Sequence, residues 1–476
     1  MADATETASS TLPDGLGAQA RMLAEGVTSS AELTAATLEA LEASQPVLGA
    51  CRVIRGERAL EEAAAADARI AAGETAPLLG VPIAVKDDTD VAGESTNFGC
   101  PGEFPVVERD AELVRRLRVA GAVIVAKTTT PEFGQWPFTE GEGFGITRNP
   151  WNTGHTPGGS SGGSAALVAA GLLGAATGSD GAGSVRIPAS WTNLIGIKPQ
   201  RGRVSTWPDA ESFNGLTCNG PLARTVGDAA LLLDAITGNH PAELHKPPRP
   251  ERPFAESARR PPERRLRIGM QLRPPFSGAP ARLAPEVRER TEALAATLES
   301  LGHSVERREP PYGLIGLSFV PRGSNGVADW ESRVPDPAVL DHRTRSSARQ
   351  GRIYGGPVLA LARAAERRYR STIGALFDEI DVLIAPTTAK PPPEIGAIEG
   401  LGEIGTDRVM VGACPFAWPW NVLGWPGISV PSGFVDGLPV GTQLLGPANS
   451  EPLLLSLAAE LESELRWFEQ RPPGLI

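Results

Sequence analysis

Two glycine- and serine-rich loops, each running into a stretch of small residues, constrain this chain more than any other feature. The first reads Gly158-Gly159-Ser160-Ser161-Gly162-Gly163-Ser164-Ala165-Ala166. The second reads Gly178-Ser179-Asp180-Gly181-Ala182-Gly183-Ser184-Val185-Arg186-Ile187-Pro188. Upstream, the apolar run Val81-Pro82-Ile83-Ala84-Val85 ends at Lys86-Asp87. Glycine permits dihedrals and close backbone approaches that side chains forbid. Successive N–H groups in such loops form concave anion sites. Together the segments hold two serines, a lysine and closely spaced N–H donors. Those parts suffice for acyl transfer through a serine nucleophile without histidine or metal.

A serine hydroxyl needs a base within hydrogen-bond reach to act near pH 7. A lysine serves as that base only when neutral, which burial favours by lowering its pKa. Lys86 closes an apolar, strand-like run and is expected to lie deep. The chain holds five lysines (86, 127, 198, 246 and 390) against forty arginines. Lysine is thus kept where arginine, which cannot deprotonate, is otherwise the default.

The three segments resemble the amidase signature family of serine hydrolases, with bacterial acylamidases as the nearest flavour. The resemblance extends to Asn149-Pro150-Trp151, Ile195-Gly196-Ile197-Lys198-Pro199, Gly220-Pro221-Leu222-Ala223-Arg224, Asp381-Val382-Leu383-Ile384-Ala385-Pro386-Thr387 and Gly437-Leu438-Pro439-Val440-Gly441. It is strong over residues 15–235, moderate over 380–465 and slight over 240–375. It implies Ser184 as nucleophile, Ser160 as a bridging serine after a cis peptide bond, and Lys86 as base. It implies an oxyanion site at Gly181, Ala182 and Gly183, and a pocket bordered by Gly134, Gln135 and Trp136 beside Phe133. Two positions depart from the common pattern: Gly181 replaces Thr or Ile, and Ala182 replaces Gly. The donors are backbone groups, so both changes are expected to be tolerated. Trp207, Phe213, Trp418 and Trp420 are further aromatic candidates for the pocket wall.

Rival readings fit less well. Flexible linkers carry long Gly/Ser repeats, and these loops do not. The first loop lacks the Gly-Lys-Ser/Thr ending of a phosphate loop, and no GxGxxG threads through the second. GxSxG occurs twice around Ser160 and Ser161, but the preceding residues are polar and broken by proline rather than a buried strand. No lysine has a serine three residues before it, which excludes an SxxK hydrolase. Lys198 is the main rival to Lys86 and reads as structural. The five histidines show no metal-ligand spacing, and His155 reads as a loop-packing residue. The four cysteines, 51, 100, 218 and 414, read as buried small hydrophobes of a reducing compartment. Asp180 is expected to orient the nucleophile loop. Arg186 is expected to pair with a carboxylate, Asp180 or Asp87.

A net charge of −11 argues against nucleic-acid binding. The start shows neither a signal peptide nor a membrane span, so a cytoplasmic location is the expectation. No metal or cofactor is expected. The expected partner is a small-molecule amide, with no nucleic acid and no membrane, and a homodimer is the candidate assembly.

The pattern of elements predicts an α/β fold, a single α/β/α layered domain around a central mixed, twisted sheet. Residues 1–15 are expected to be disordered and 16–476 to form the domain. Helices are predicted at 29–44, 57–72, 111–120, 164–173 and 226–236, and strands at 81–86 and 122–126. A strand at 266–271, a helix at 285–301 and a strand at 303–308 make a βαβ-like unit. Residues 240–262 read as an exposed connector, and 310–376 as a partial cover over the site. Three of nine tryptophans fall at 418, 420 and 425. They read as core or as pocket wall.

The expected activity is hydrolysis of neutral hydrophobic or aryl amides, with esters or carbamates open to the same acyl-serine chemistry. The alternatives are an amidotransferase subunit, which carries Gln where this chain has Ile187, and a non-catalytic binding member of the fold.

Overall fold

The computed structural model describes residues 12, 14–276 and 281–474. Its strands are β1 (Cys51–Ile54), β2 (Pro82–Lys86), β3 (Val123–Thr128), β4 (Glu140–Gly141), β5 (Gly145–Ile146), β6 (Ala175–Asp180), β7 (Ile195–Lys198), β8 (Cys218–Ala223), β9 (Arg267–Met270), β10 (Ser304–Arg307), β11 (Val382–Pro386), β12 (Gly427–Val435) and β13 (Leu438–Leu445). Except for the β4–β5 hairpin, they form one 11-stranded sheet in the order β1-β3-β2-β6-β8-β7-β12-β13-β11-β9-β10. The sheet is mixed. β3, β2 and β6 are parallel, as are β11, β9 and β10, with antiparallel pairs between the two groups.

The central strands are covered on both faces, and β2 shows how. Side chains alternate across a strand. Ile83 and Val85 join the core under the helices Val226–Ile236, Pro285–Ser300 and Glu451–Leu465. Ala84, between them, joins a second core with the helices Ser30–Leu48, Gly56–Ala71 and Gly162–Ala169. Lys86 continues the parity of Ala84. It therefore leaves the sheet on the side of the Gly162–Ala169 helix.

Most predicted elements recur with small shifts. Helix Ser30–Leu48 starts with a reciprocal cap: Glu32 N–H donates to Ser29 Oγ, and Glu32 Oε2 accepts from Ser29 N–H. It runs past the predicted end, with Pro46 inside its last turn. Gly49 then closes it at φ 57°. β9, helix Pro285–Ser300 and parallel β10 form the predicted βαβ unit.

The connector at 240–262 is less exposed than predicted. Phe254 is fully buried, and the buried Glu243 accepts from Ser205 Oγ and Thr206 N–H. The disorder expected at residues 1–15 concerns mostly residues outside those described, but Asp14 pairs with Arg224 at 2.9 Å. Residues 310–376 fold into helices Gly316–Glu331, His342–Ile353 and Pro357–Gly374.

Candidate active site

β2 and β6 are parallel neighbours, joined at Ala84 and Ala176, so their carboxyl ends open on the same edge. In open α/β sheets the crevice outside such ends gathers side chains from several elements. Lys86 ends β2, and Ser179 and Asp180 end β6. The Lys86 side chain is 1% exposed. Its Nζ donates to Ser160 Oγ at 2.7 Å and to Ser179 Oγ at 2.7 Å, and lies 3.1 Å from Asp88 Oδ2. Ser179 Oγ in turn donates to the same carboxylate oxygen of Asp88. Burial pulls the Lys86 ammonium below the ordinary lysine range, while Asp88 and, less strongly, Asp180 pull against it.

Ser160 stands in the turn before helix Gly162–Ala169, after a cis Gly159–Ser160 peptide bond. Every residue of that helix is buried. Gly134 faces Ser160 from a short 3₁₀ turn at φ 64°. A Cβ there would lie 2.9 Å from Ser160 Oγ. Glycine at this position thus lets the backbone approach the serine hydroxyl.

Ser184 lies in the loop between β6 and helix Arg186–Trp191, and is 8% exposed. The Asp180 carboxylate organises this loop. It accepts from the N–H groups of Gly183 (2.8 Å), Val185 (3.3 Å) and Arg186 (3.4 Å). It also accepts from the Arg186 guanidinium at 3.0 Å twice and from Asn421 Nδ2 at 2.9 Å. Burial alone would raise the Asp180 carboxyl, but the buried Arg186 overrides it and holds it well below the usual carboxylate range. Of the two carboxylates expected for Arg186, Asp180 is its partner. Asp87 instead pairs with Lys127 at 2.8 Å and Arg52 at 2.9 Å. Ser161 N–H donates to the Ser184 carbonyl at 3.1 Å, which ties the two glycine-rich loops together.

The expected anion site changes in one detail. Gly183 N–H is spent on Asp180. The N–H groups of Gly181, Ala182 and Ser184 donate to no protein acceptor among the described residues. Gly183 is itself required: at φ 120°, a Cβ would meet Ala417 Cβ at 2.6 Å. Lys198 is buried on β7 with its Nζ donating to the Pro199 carbonyl at 3.0 Å. All four cysteines are free and buried. Burial pushes the Cys51 thiol up to about 12 and raises that of Cys414 strongly.

Ser160 and Ser184 open on a cavity of about 320 Å³. Gly134, Gln135 and Trp136 line it, as do Phe133, Phe213 and Trp418. Two predicted wall residues do not. Trp207 stacks on His240 at 4.0 Å and borders a separate cavity of about 60 Å³. Trp420 is fully buried, packs on Trp425 and donates Nε1 to the Gly446 carbonyl. The tryptophan cluster thus divides between wall and core, because residues two apart on the short helix Pro419–Leu423 and its cap face different ways.

Sequence reasoning did not name Asp88 as a contact of Lys86. It also missed the wall residues Phe319, Val327 and Trp330 of helix Gly316–Glu331, and Met410 of helix Glu403–Ala413. Apolar residues recurring at helical spacing in 316–331 signal the helix, but not which face meets a cavity. Arg343 closes one side of the cavity, stacked over the Trp136 ring at 4.4 Å and paired with Asp341 at 2.6 Å. No three His, Cys, Asp or Glu residues among those described are grouped to hold a metal ion. No helix among them is long and apolar enough to cross a membrane.

A family model described as Amidase matches residues 32–455. The chain belongs to the amidase signature family. It is similar to a Mycobacterium tuberculosis protein provisionally named amidase AmiA2, at 54% identity over 94% of this chain and 93% of that one. Among solved structures it resembles 6-aminohexanoate cyclic dimer hydrolase, at 32% identity and TM-score 0.89, covering 98% of this chain and 99% of that one. It also resembles a bacterial aryl acylamidase, at 25% identity and TM-score 0.84, covering 96% of this chain and 98% of the other. This amidase signature member is a hydrolase of carbon–nitrogen bonds in linear amides other than peptide bonds.

Proposed function

We propose that the enzyme cleaves neutral hydrophobic or aryl amides through a Ser184–Ser160–Lys86 relay and an acyl-enzyme. The observation that carries the reading is the buried Lys86 Nζ at 2.7 Å from Ser160 Oγ, with Ser160 and Ser184 opening on one cavity. Neutral Lys86 takes a proton from Ser160 as Ser160 takes one from Ser184. The Ser184 Oγ–carbonyl bond forms, and the carbonyl oxygen gains negative charge beside the N–H groups of Gly181, Ala182 and Ser184. Preorganised donors at a developing oxyanion are each worth about 100- to 1000-fold in turnover. Collapse breaks the carbon–nitrogen bond, and the amine leaves with the proton returned from Lys86 through Ser160. Water repeats the sequence on the ester and releases the acid.

The substrate class rests on the walls. Phe133, Trp136, Ile187, Phe319, Trp330 and Trp418 present apolar surface around the two serines. Small-molecule sites of this kind bind by apolar burial with a few placed polar groups. Esters and carbamates share the acyl-serine chemistry. The test has two parts. A fluorophosphonate should label Ser184, which a binding module or a serine-independent enzyme would not allow. A panel of an aryl anilide, a phenyl carbamate and a small dicarboxylic monoamide should rank the anilide first by kcat/KM. A charged monoamide in first place would discard the apolar substrate class and leave the serine relay standing.

A further inference from the structure

Lys86 is bracketed from two sides. On one it donates to Ser160, which faces the cavity. On the other it meets the carboxylate of Asp88, which the relay does not use and which with Ser179 lines the same cavity. Asp88 Oδ2 is 3.1 Å from Nζ, the carboxylate is 6% exposed, and Ser179 Oγ donates to that oxygen while accepting from Nζ. The three groups therefore close a small ring: ammonium to hydroxyl, hydroxyl to carboxylate, carboxylate to ammonium.

Three other carboxylates near Lys86 have partners of their own. Asp180, at the end of β6, is neutralised by Arg186. Asp87, the next residue along the chain, is held by Lys127 and Arg52. Glu132, ahead of Gly134, accepts from Asp341 N–H at 3.1 Å. Asp88 has no arginine or lysine other than Lys86 within ion-pair distance among the described residues.

Resting on the reading of Lys86 as base, we propose that Asp88 is the positioning residue of that lysine. It holds Nζ against Ser160 through Ser179 and sets the pH at which Lys86 becomes able to accept a proton. An opposite charge at this distance favours the charged lysine, and a carboxylate–cation pair of this kind typically moves a pKa by about one to three units. The carboxylate thus makes the base stronger at the cost of activity in acid. Ser179 keeps the ammonium directed at Ser160, since its hydroxyl accepts a hydrogen bond from Nζ and fixes the rotamer.

The experiment is the pH dependence of kcat/KM on an aryl anilide for the wild type, Asp88→Asn, Asp88→Glu and Lys86→Met. Asparagine keeps an acceptor for Ser179 and removes the charge. Asp88→Asn should move the acid limb down by about one to three pH units, and lower the plateau because the base is weaker. Asp88→Glu, which keeps the charge, should return the limb to within about half a unit of wild type. If Asp88→Asn does not fold, the pH dependence of fluorophosphonate labelling in Asp88→Glu and Ser179→Ala replaces it. In that case the limb should stay near the wild-type position in both, because both keep the carboxylate; a limb displaced by more than one unit in either overturns the proposal. An unmoved limb in Asp88→Asn, with loss of plateau only, reduces Asp88 to a structural anchor and overturns it as well. Lys86→Met separates the two levels. If it keeps the wild-type profile, the reading of Lys86 as base falls. If it is inactive while Asp88→Asn titrates like wild type, only the role of Asp88 falls.

Discussion

Lys86 and Asp180 stand at the carboxyl ends of strands buried on both faces and Arg186 opens the helix Arg186–Trp191 beside them, whereas Phe319, Val327 and Trp330 hang from helix Gly316–Glu331. The first group is fixed by charge. Asp180 and Arg186 are both 0% exposed, and between them they hold N–H groups of the loop around Ser184, Asn421, Gln443 and the Ala417 carbonyl. The second group is fixed by packing alone, and its helix leaves Leu317 65% and Val320 47% exposed. A buried, fully paired polar network tolerates little displacement, because any lost partner leaves a desolvated charge. An apolar wall on a half-exposed helix can change shape for a few kcal/mol. On the proposed relay, bond chemistry falls to the strand ends and substrate fit to the helical cover.

The largest test of that division is at the strand ends. Ser184→Ala should reduce turnover to background with an unchanged circular dichroism spectrum, and Lys86→Met should lose at least about 1000-fold. Residual rates near wild type in either variant would move the chemistry elsewhere. Asp180→Asn should destabilise the fold by about 3–5 kcal/mol, since it leaves Arg186 charged and unpaired in the interior. Urea denaturation monitored by tryptophan fluorescence reads this directly, and a loss under about 1 kcal/mol would show that the loop is not held by the pair.

On the cover, Phe319→Ala or Trp330→Ala should raise KM for an aryl anilide about tenfold while kcat stays within about threefold. A fall in kcat alone would place these rings in the chemistry rather than the fit.

Glu132 sits at the seam, accepting from Asp341 N–H where the cover helix His342–Ile353 begins. Burial pushes its carboxyl up to about 7, above an unfolded value of about 4.3. The folded protein therefore holds this proton longer than the unfolded chain does. The stabilisation from this group is complete at pH values below the unfolded pKa and is lost as pH rises through about 7. Glu132→Gln should flatten the fall of Tm between pH 6 and 8 by about 2 °C. An unaltered slope would disconnect the seam from this titration. The smallest effect belongs to Trp207→Phe, outside the main cavity, which should leave kcat/KM within about twofold; a larger fall would reinstate Trp207 as part of the wall.

Legibility followed the same division. The run from Gly178 to Pro188 carries its own geometry: Asp180 reaches N–H groups three to six residues ahead of it, so the loop and its organising carboxylate are written in one continuous segment. The strand ending at Lys86 and the capped helix after Ser29 are equally local. Trp207, a candidate for the wall, lies off it, and Trp420 takes the core position of its two readings, because an aromatic residue's burial does not reveal which void it borders. Asp88 was passed over because nothing within its own segment shows that Ser179, 91 residues on, returns to its side.

What the sequence alone determined is the set of candidate reactive groups and the backbone that carries them, because glycine, serine and small-residue patterns act through short-range sterics and hydrogen bonds. What only the tertiary structure decided is which of several buried ionisable groups share a partner, and which helix faces close over the serines. Those outcomes depend on strand order and on the packing of segments more than a hundred residues apart, such as Arg322 on the Asn214 carbonyl. The energies that settle them, desolvation against pairing and burial against exposure, exist only once the segments have met.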